Sequence, residues 1–207
     1  MAKRKQVVDL SRRSPQRARA LDTIETIFEA TARILQAEGL AALNTNKIAE
    51  RAGVSIGAIY GYFPNKDAIL LAMARRELDA LRDRVIAALT DTKDEEPDPV
   101  RRAIRALIKG YGARGKVRRI LMEHLFSRGG SEDMARPVSE VANVLAAQGD
   151  AILPKGARPP SAVGMFVLTR AVDSVIRTAT YDNVAFLHSR EFEDEIARLI
   201  CGYLAAA

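Results

Sequence analysis

Cysteine and histidine, which carry much of enzyme chemistry, are scarce in this sequence. Its 207 residues include one cysteine, Cys201, and two histidines, His124 and His188, which lie far apart along the chain. A single cysteine excludes an internal disulfide framework. The sequence also has no CxxC or HExxH motif and no phosphate-binding glycine loop. We therefore expect a protein that is not an enzyme and that needs neither a metal nor another cofactor.

Proline and long apolar runs are scarce as well. The chain has eight prolines, almost no alternation of apolar and polar residues and no internal repeat. Apolar residues recur instead at intervals of three and four, which is typical of amphipathic helices. No uninterrupted apolar stretch follows the basic N-terminus, so we expect neither a signal peptide nor a membrane partner. The pattern predicts an all-α, cytoplasmic protein of one or two domains.

The apolar spacing and the breaks between apolar segments predict the domain organisation. Residues 90–99 (TDTKDEEPDP) and 154–160 (PKGARPP) are polar and rich in proline, which indicates loops. We predict three parts. A basic N-terminal arm spans residues 1–19, and a helix-turn-helix domain spans 20–66. A larger helical domain follows at 67–207, and its first helix, at 67–89, is a long connector. Further helices are predicted at about 100–111, 116–127, 131–153, 161–181 and 189–204.

The most informative segment spans residues 43–66 and reads LNTNKIAERAGVSIGAIYGYFPNK. The side chain of Asn44 or Thr45 can cap a first short helix. Gly53 can adopt the left-handed conformation that ends this helix, and Ser55 can cap the next one. The segment therefore predicts two short helices joined by a tight turn, with Val54, Ile59 and Phe63 facing inward.

These residues resemble a known DNA-binding domain. The run IAERAGVS at 48–55, followed by Gly57, Tyr60 and FPNK at 63–66, resembles the helix-turn-helix domain of the TetR family of bacterial transcriptional regulators. The resemblance implies that residues 55–62 form a recognition helix in the major groove. The phosphate contacts that it implies are Thr45, Ser55, Tyr60, Tyr62 and Lys66, and the residues nearer the bases are Asn46, Ile56, Gly57 and Gly61.

The alternative for this segment is a compact three-helix subdomain with a buried aromatic corner. This alternative accounts for Val54 and Phe63. It does not account for two tyrosines and two glycines on one short helix, because each interior glycine costs ~1 kcal/mol relative to alanine. A close approach to DNA does account for them. Gly61 stands where the family commonly has a larger side chain, so one base contact is either missing or made by the backbone.

Positive charge is concentrated at the N-terminus. Residues 1–20 contain seven basic residues and one acidic residue, so their net charge of +6 equals that of the whole chain. We predict that the arm follows DNA phosphates or enters a minor groove. A solvated tail is the alternative. The residues predicted to contact DNA from the arm are Arg12, Arg13, Arg17 and Arg19.

A second basic segment spans residues 100–120, where eight basic residues occur without an acidic one. One interpretation is a solvated face that is balanced by the acidic residues at 91–98. The other is a surface that attracts anions, either the DNA backbone or an acidic effector.

The last two predicted helices bear apolar stripes. The resemblance implies that they pair with their symmetry mates in a homodimer, which presents two recognition helices to a palindromic operator. Ordinary core packing is the alternative for each stripe. The predicted interface residues are Val163, Val167, Ala171, Phe192, Ile196, Leu199, Ile200 and Tyr203.

The resemblance also implies that an unidentified small-molecule effector binds in the larger domain. The candidates for the effector site are Tyr111, Met122, His124, Phe126, Met165, Phe166, Arg170 and Tyr181. The alternative is ordinary core packing, because most aromatic residues and methionines at helical spacing belong to the core. The expected function is a sequence-specific regulator, a repressor that the effector releases from double-stranded operator DNA. The alternative is a sequence-indifferent DNA-organising protein that uses the same motif and arm.

Overall fold

The computed structural model describes residues 15–92, 96–112, 115–128, 133, 135–153, 157 and 161–205. Across these residues the chain is all helical, as predicted, with a 3₁₀ turn at Leu40–Ala42 and no strand. The α-helices are α1 (Pro15–Glu38), α2 (Thr45–Ala52), α3 (Ile56–Tyr62), α4 (Lys66–Thr90), α5 (Pro99–Gly112), α6 (Gly115–Ser127), α7 (Ala135–Ile152), α8 (Ala162–Tyr181) and α9 (Arg190–Ala205). None of the described helices is long and apolar enough to cross a membrane.

The chain divides into two compact units, residues 1–69 and 70–207. In the first unit, α1 packs on α2 and α2 on α3. Its core is aliphatic, with fully buried side chains such as Ile34, Ile48 and Ile59. Burial of each such side chain contributes about 1.5–3 kcal/mol, so the apolar spacing is enough to hold the three helices together.

The start of α1 corrects the predicted arm. The helix begins at Pro15, whereas the sequence placed residues up to 19 in an arm. Proline fits the first turn of a helix because its fixed φ is helical. Its lack of an N–H costs nothing there, since the first N–H groups of a helix have no partner within the helix. Arg17 and Arg19 therefore belong to α1. Arg12 and Arg13 lie outside the described residues.

The second unit is built around α5 and α8, which pack on each other and on α9. Its core includes fully buried Ile104 and Ile176. Close packing occurs where α5 approaches α4, because a Cβ on Gly110 would lie only 2.5 Å from Leu81 Cδ1. Helix α7 was predicted as a regular helix, but it has a non-helical backbone at Gln148 (φ −129°, ψ 17°).

Several arginines of the basic segment at 100–120 are engaged with carboxylates and carbonyls of the protein. Arg102 is buried and donates to the carbonyls of Ala88 (2.8 Å) and Glu96 (2.6 Å). The side chain of Arg105 donates to Glu193 Oε1 at 3.0 Å and to Glu193 Oε2 at 2.9 Å. Much of this charge therefore holds α5 to the preceding loop and to α9.

Arg101 and Arg118 follow the same pattern. Arg101 pairs with Asp194 of α9. Arg118 is 1% exposed, and its Nη1 lies 3.0 Å from Glu77 Oε2 on α4. Arg101 also lies 3.5 Å from Asp98, and Arg105 lies 3.2 Å from Glu96, so the acidic residues at 91–98 balance part of this charge. The partners on α4 and α9 were not predicted because they are distant in sequence.

Candidate functional site

Helix α2 is defined by the caps that the sequence predicted. Asn44 has an extended backbone, and its side-chain oxygen accepts a 2.9 Å hydrogen bond from the N–H of Lys47. At the other end, Gly53 adopts the left-handed conformation (φ 66°, ψ 29°), and the N–H of Val54 donates to the carbonyl of Ala49 at 3.1 Å. This bond satisfies a carbonyl that the helix end would leave without a partner. The predicted turn is confirmed.

Helix α3 is capped and anchored in the same way. The Ser55 hydroxyl oxygen accepts a 3.0 Å hydrogen bond from the N–H of Ala58. Ile59 and Phe63 are buried as predicted, Val54 is half-buried, and the ring of Phe63 lies 5.8 Å from that of Phe28 on α1. The inner face of α3 is therefore fixed against α1.

The opposite face of α3 exposes large side chains. Ile56 is 38% exposed, Tyr60 48% and Tyr62 39%. Gly57 and Gly61 lie on the same short helix, and a Cβ on Gly61 would meet no other atom within 4 Å. Packing within the protein therefore does not require glycine at position 61.

The structure brings the residues predicted to contact DNA from 45–66 onto α2, α3 and the start of α4. Seven of them are exposed, and Thr45 and Lys66 are half-buried. The hydroxyls of Thr45 and Tyr60 lie 3.3 Å apart and link α2 to α3. Lys66 Nζ donates to the carbonyl of Leu43 at 3.0 Å. Three of the predicted phosphate contacts, Thr45, Tyr60 and Lys66, thus also brace the motif. The exposed residues are Asn46, Ser55, Ile56, Gly57, Tyr60, Gly61 and Tyr62.

Several cations of the first unit are paired with nearby carboxylates. Lys47 Nζ contacts Glu38, and Arg51 Nη2 lies 3.9 Å from the same carboxylate. On α1, Arg33 pairs with Glu29 at 3.2 Å. Arg19 is exposed near the start of α1, while the side chain of Arg17 lies outside the described atoms.

The second unit contains an apolar cavity of about 180 Å³. Aliphatic side chains from α4, α5, α7, α8 and α9 line it, among them Leu78, Ile104 and Val141. Three polar residues also reach the cavity, namely Arg82, Thr169 and Asp173. A cavity of this character suits an apolar small molecule with few polar groups.

The polar residues at the cavity are already engaged with protein groups. Arg82 lies 2.8 Å from both Asp79 and Glu140, which ties α4 to α7. Asp173 accepts a hydrogen bond from the hydroxyl of Tyr111. Burial, reinforced by the Asp173 carboxylate, raises the pKa of Tyr111 far above its usual range, so this hydroxyl stays protonated.

The eight candidate effector residues do not form one site. Met165 alone among them lines the apolar cavity. The rings of Tyr111 and Tyr181 meet edge to face 6.3 Å apart, beside a different pocket. Arg170 lies over the exposed rings of Phe126 (5.9 Å) and Phe166 (5.5 Å). Met122 is buried and His124 half-buried.

The cavity was missed because its lining is mostly leucine, isoleucine and valine. In a sequence, such residues at helical spacing are indistinguishable from ordinary core. The polar residues that approach the cavity do not stand out either. Nothing in the sequence marks Asp173 as different from a surface carboxylate on α8.

Among the described residues, no three His, Cys, Asp or Glu side chains are grouped so that they could hold a metal ion.

The predicted dimer interface needs a correction on α9. Phe192 (8% exposed) and Ile196 (4%) are packed in the core of the second unit and present almost no surface. Ala171 and Ile200 are half-buried, and Ile200 lines the cavity. The predicted residues that remain exposed are Val163 (73%), Val167 (47%), Leu199 (42%) and Tyr203 (38%). Phe166 (59%) and Val175 (43%) extend this apolar surface along α8.

Comparison with known sequences identifies the first unit. Residues 27–73 match the family of bacterial regulatory proteins named tetR. An uncharacterised HTH-type transcriptional regulator of Haemophilus influenzae is 47% identical over 55 residues, which are 27% of this chain and 29% of that protein. The HTH-type transcriptional regulator BetI 2 of Chromohalobacter salexigens is 37% identical over 93 residues, which are 45% and 44% of the two chains. The chain thus matches less than half the length of these relatives.

Solved structures share the fold over most of the chain. A TetR family transcription regulator from Marinobacter aquaeolei VT8 superposes with a TM-score of 0.63 at 22% identity, covering 91% of this chain and 98% of that one. The multidrug binding protein EbrR, complexed with imidazole, gives a TM-score of 0.62 at 20% identity, with 85% and 93% covered. The fold agrees with the sequence match, in which residues 27–73 are similar to the tetR family of bacterial regulatory proteins.

Proposed function

We propose that the protein is a sequence-specific DNA-binding transcriptional regulator that acts in the cytoplasm as a repressor. The observation that carries this proposal is the outer face of α3. Caps and the buried Ile59 and Phe63 hold the helix rigidly, yet it exposes Ile56, Tyr60 and Tyr62 to solvent. Exposed apolar and aromatic groups on a fixed helix are costly in water and useful in a DNA groove.

The proposed DNA contacts divide by chemistry. Hydroxyl and ammonium groups donate to phosphates and set the register, whereas the outer face of α3 meets base edges. Ile56 suits contact with a thymine methyl group, and the open surface at Gly61 lets the backbone approach the bases. The proposed phosphate contacts are Arg12, Arg13, Arg17, Arg19, Thr45, Ser55, Tyr60, Tyr62 and Lys66, and those near the bases are Asn46, Ile56, Gly57 and Gly61.

We further propose a homodimer formed through α8 and α9. Val163, Phe166, Val167 and Val175 recur at helical intervals on α8, and all four are exposed. A continuous apolar stripe of this kind on a soluble surface marks an interaction site. A two-fold partner would cover it and place two copies of α3 one helical turn of DNA apart, about 34–36 Å.

The apolar cavity is the proposed effector site. EbrR, which shares the fold, is described as a multidrug binding protein. Helix α4 contributes Leu78, Leu81 and Val85 to the cavity lining, and the same helix begins directly after the helix-turn-helix segment. A ligand that displaces α4 would therefore change the position of the DNA-binding helices and release the operator.

Selection of bound sequences from a random pool of DNA duplexes tests the proposal. We expect a palindrome to be enriched, with half-sites about one helical turn apart. A specific regulator should prefer this palindrome to random DNA by at least about a thousandfold. Recovery of no common sequence would contradict the proposal and favour a sequence-indifferent DNA-organising protein.

A further inference from the structure

We propose a second ligand site in the larger unit, which binds a small oxyanion such as a carboxylate or a phosphate. It lies between the α5 and α6 ends and the turn that joins α8 to α9. It is separate from the apolar cavity and does not depend on the proposed regulation.

The site opens as a pocket of about 420 Å³. Lys116, Arg119 and His188 contribute basic side chains, and Tyr111 and Tyr181 contribute aromatic walls. No acidic residue is among the described residues that line it, although Arg119 pairs with Glu123 of its own helix at 2.9 Å. The pocket therefore offers positive charge and hydrogen-bond donors to an incoming anion.

A buried group of donors lies next to the aromatic wall. The guanidinium carbon of Arg118 lies 4.8 Å from the centre of the Tyr111 ring. The Nε and Nη2 atoms of Arg118 are buried, and neither has a hydrogen-bond acceptor among the described residues. The same is true of the Tyr181 hydroxyl and of Arg177 Nε, which is 3.6 Å from Asp173.

The chemistry of these atoms indicates an oxyanion. A guanidinium group has no acceptor and stays protonated in proteins, so three of the four atoms can only donate. Burial raises the pKa of Tyr181 although Arg118 and Arg177 oppose the rise, so this hydroxyl stays protonated. Buried donors without acceptors are costly. A carboxylate or phosphate supplies several acceptor oxygens to such donors.

The pocket and the donor group meet at Tyr181. Its ring lines the pocket and meets the ring of Tyr111, over which Arg118 lies, and its hydroxyl is buried. Arg119 lies over the outer face of the same ring at 5.9 Å. In the proposed complex the anion lies against the Tyr181 ring and accepts hydrogen bonds from the Tyr181 hydroxyl and from the guanidinium of Arg118.

Tyrosine NMR tests the site in the intact protein. The five tyrosines are labelled with ¹³C at Cζ, and the Tyr181 signal is identified by its loss in Tyr181→Phe. Sodium acetate and sodium phosphate are then titrated separately, with sodium chloride holding the ionic strength constant. We expect at least one of the two anions to shift the Tyr181 and Tyr111 signals to saturation, and the more effective anion identifies the ligand class.

Variants give the matched comparison. In Tyr181→Phe the ring is kept and one donor is lost, so the Tyr111 signal should report a dissociation constant at least about tenfold weaker. Lys109→Gln removes an exposed charge of α5 outside the pocket and should leave binding unchanged. If Tyr181→Phe does not fold, Arg119→Gln replaces it, because the side chain of Arg119 is more than half exposed. Weaker binding is again expected.

Two results would overturn the proposal. One is a Tyr181 signal that responds to acetate and phosphate no more than to chloride. The other is a saturable response of Tyr111 that is equally strong in wild type and in Tyr181→Phe, because the anion then binds elsewhere on this basic chain.

Discussion

The exposed glycine of the recognition helix allows stability and DNA binding to be separated. A Cβ at Gly61 meets no atom of the protein within 4 Å, and the residue lies inside α3. Gly61→Ala should therefore raise the free energy of unfolding by about 1 kcal/mol, the difference in helix propensity. For a unit of 69 residues, this corresponds to a rise in Tm of about 4–8 °C, measurable by circular dichroism.

The same substitution should weaken binding to DNA. If glycine is present so that the backbone can approach the bases, the added methyl group occupies space that the DNA needs. We expect the dissociation constant for the selected palindrome to rise at least about tenfold, equivalent to ~1.4 kcal/mol. Fluorescence anisotropy with a labelled duplex measures it. If the variant has a higher free energy of unfolding and still binds DNA more weakly, a damaged fold cannot be the reason for the weaker binding.

Two other glycines provide the controls. Gly202 of α9 is exposed, and a Cβ there also meets no atom within 4 Å. Gly202→Ala should therefore stabilise the protein similarly without weakening DNA binding, provided that light scattering finds an unchanged dimer. Gly53→Ala should destabilise by ~1–2 kcal/mol because φ is +66°. If Gly61→Ala binds the palindrome as tightly as wild type does, the close-approach argument is wrong.

Four further predictions concern the dimer, the cap, the arm and the cysteine. Phe166→Glu puts a charge on the exposed stripe of α8, so light scattering should find a monomer, and an unchanged dimer mass would locate the interface elsewhere. Asn44→Ala removes the α2 cap and should lower the free energy of unfolding by about 1 kcal/mol in urea denaturation, whereas no change would mean that the cap is dispensable. Deletion of residues 2–13 should flatten the dependence of log K on log [salt] by about 0.9 for each lost phosphate contact, and an equal slope would assign the arm no role. Burial raises the pKa of the Cys201 thiol, so less thiolate is present near neutral pH and iodoacetamide should react more slowly than with the urea-unfolded chain, while equal rates would refute the argument.

The helix-turn-helix could be predicted from the sequence because its determinants are local. Asn44 and Ser55 each lie three residues before the N–H that they cap, and Gly53 ends α2 through its own backbone conformation. Ile59 and Phe63 are one helical turn apart, so their burial follows from spacing alone. No contact with a distant part of the chain was needed for any of these assignments.

The apolar helices of the larger unit could be predicted only in part. Spacing located α8 and α9, but it could not distinguish the side that packs inward from the side left exposed. Ile196 and Leu199 belong to the same stripe in the sequence, yet the structure buries the first and exposes the second. The difference depends on the position of α5 and α8, which pack on α9 and which local spacing does not specify.

Charge counted along the chain differs from charge available to a partner. The basic segment at 100–120 is largely compensated by residues far away in sequence, since Arg101 and Arg105 pair with Asp194 and Glu193. In the first unit, Lys47 and the neighbouring cation on α2 share the carboxylate of Glu38. In the proposed complex, the attraction of this unit for phosphate would come mainly from the basic residues that precede Leu21. Because α1 begins at Pro15, Arg17 and Arg19 are carried by a helix rather than by an arm, so their backbone would not have to become ordered when the proposed complex with DNA forms.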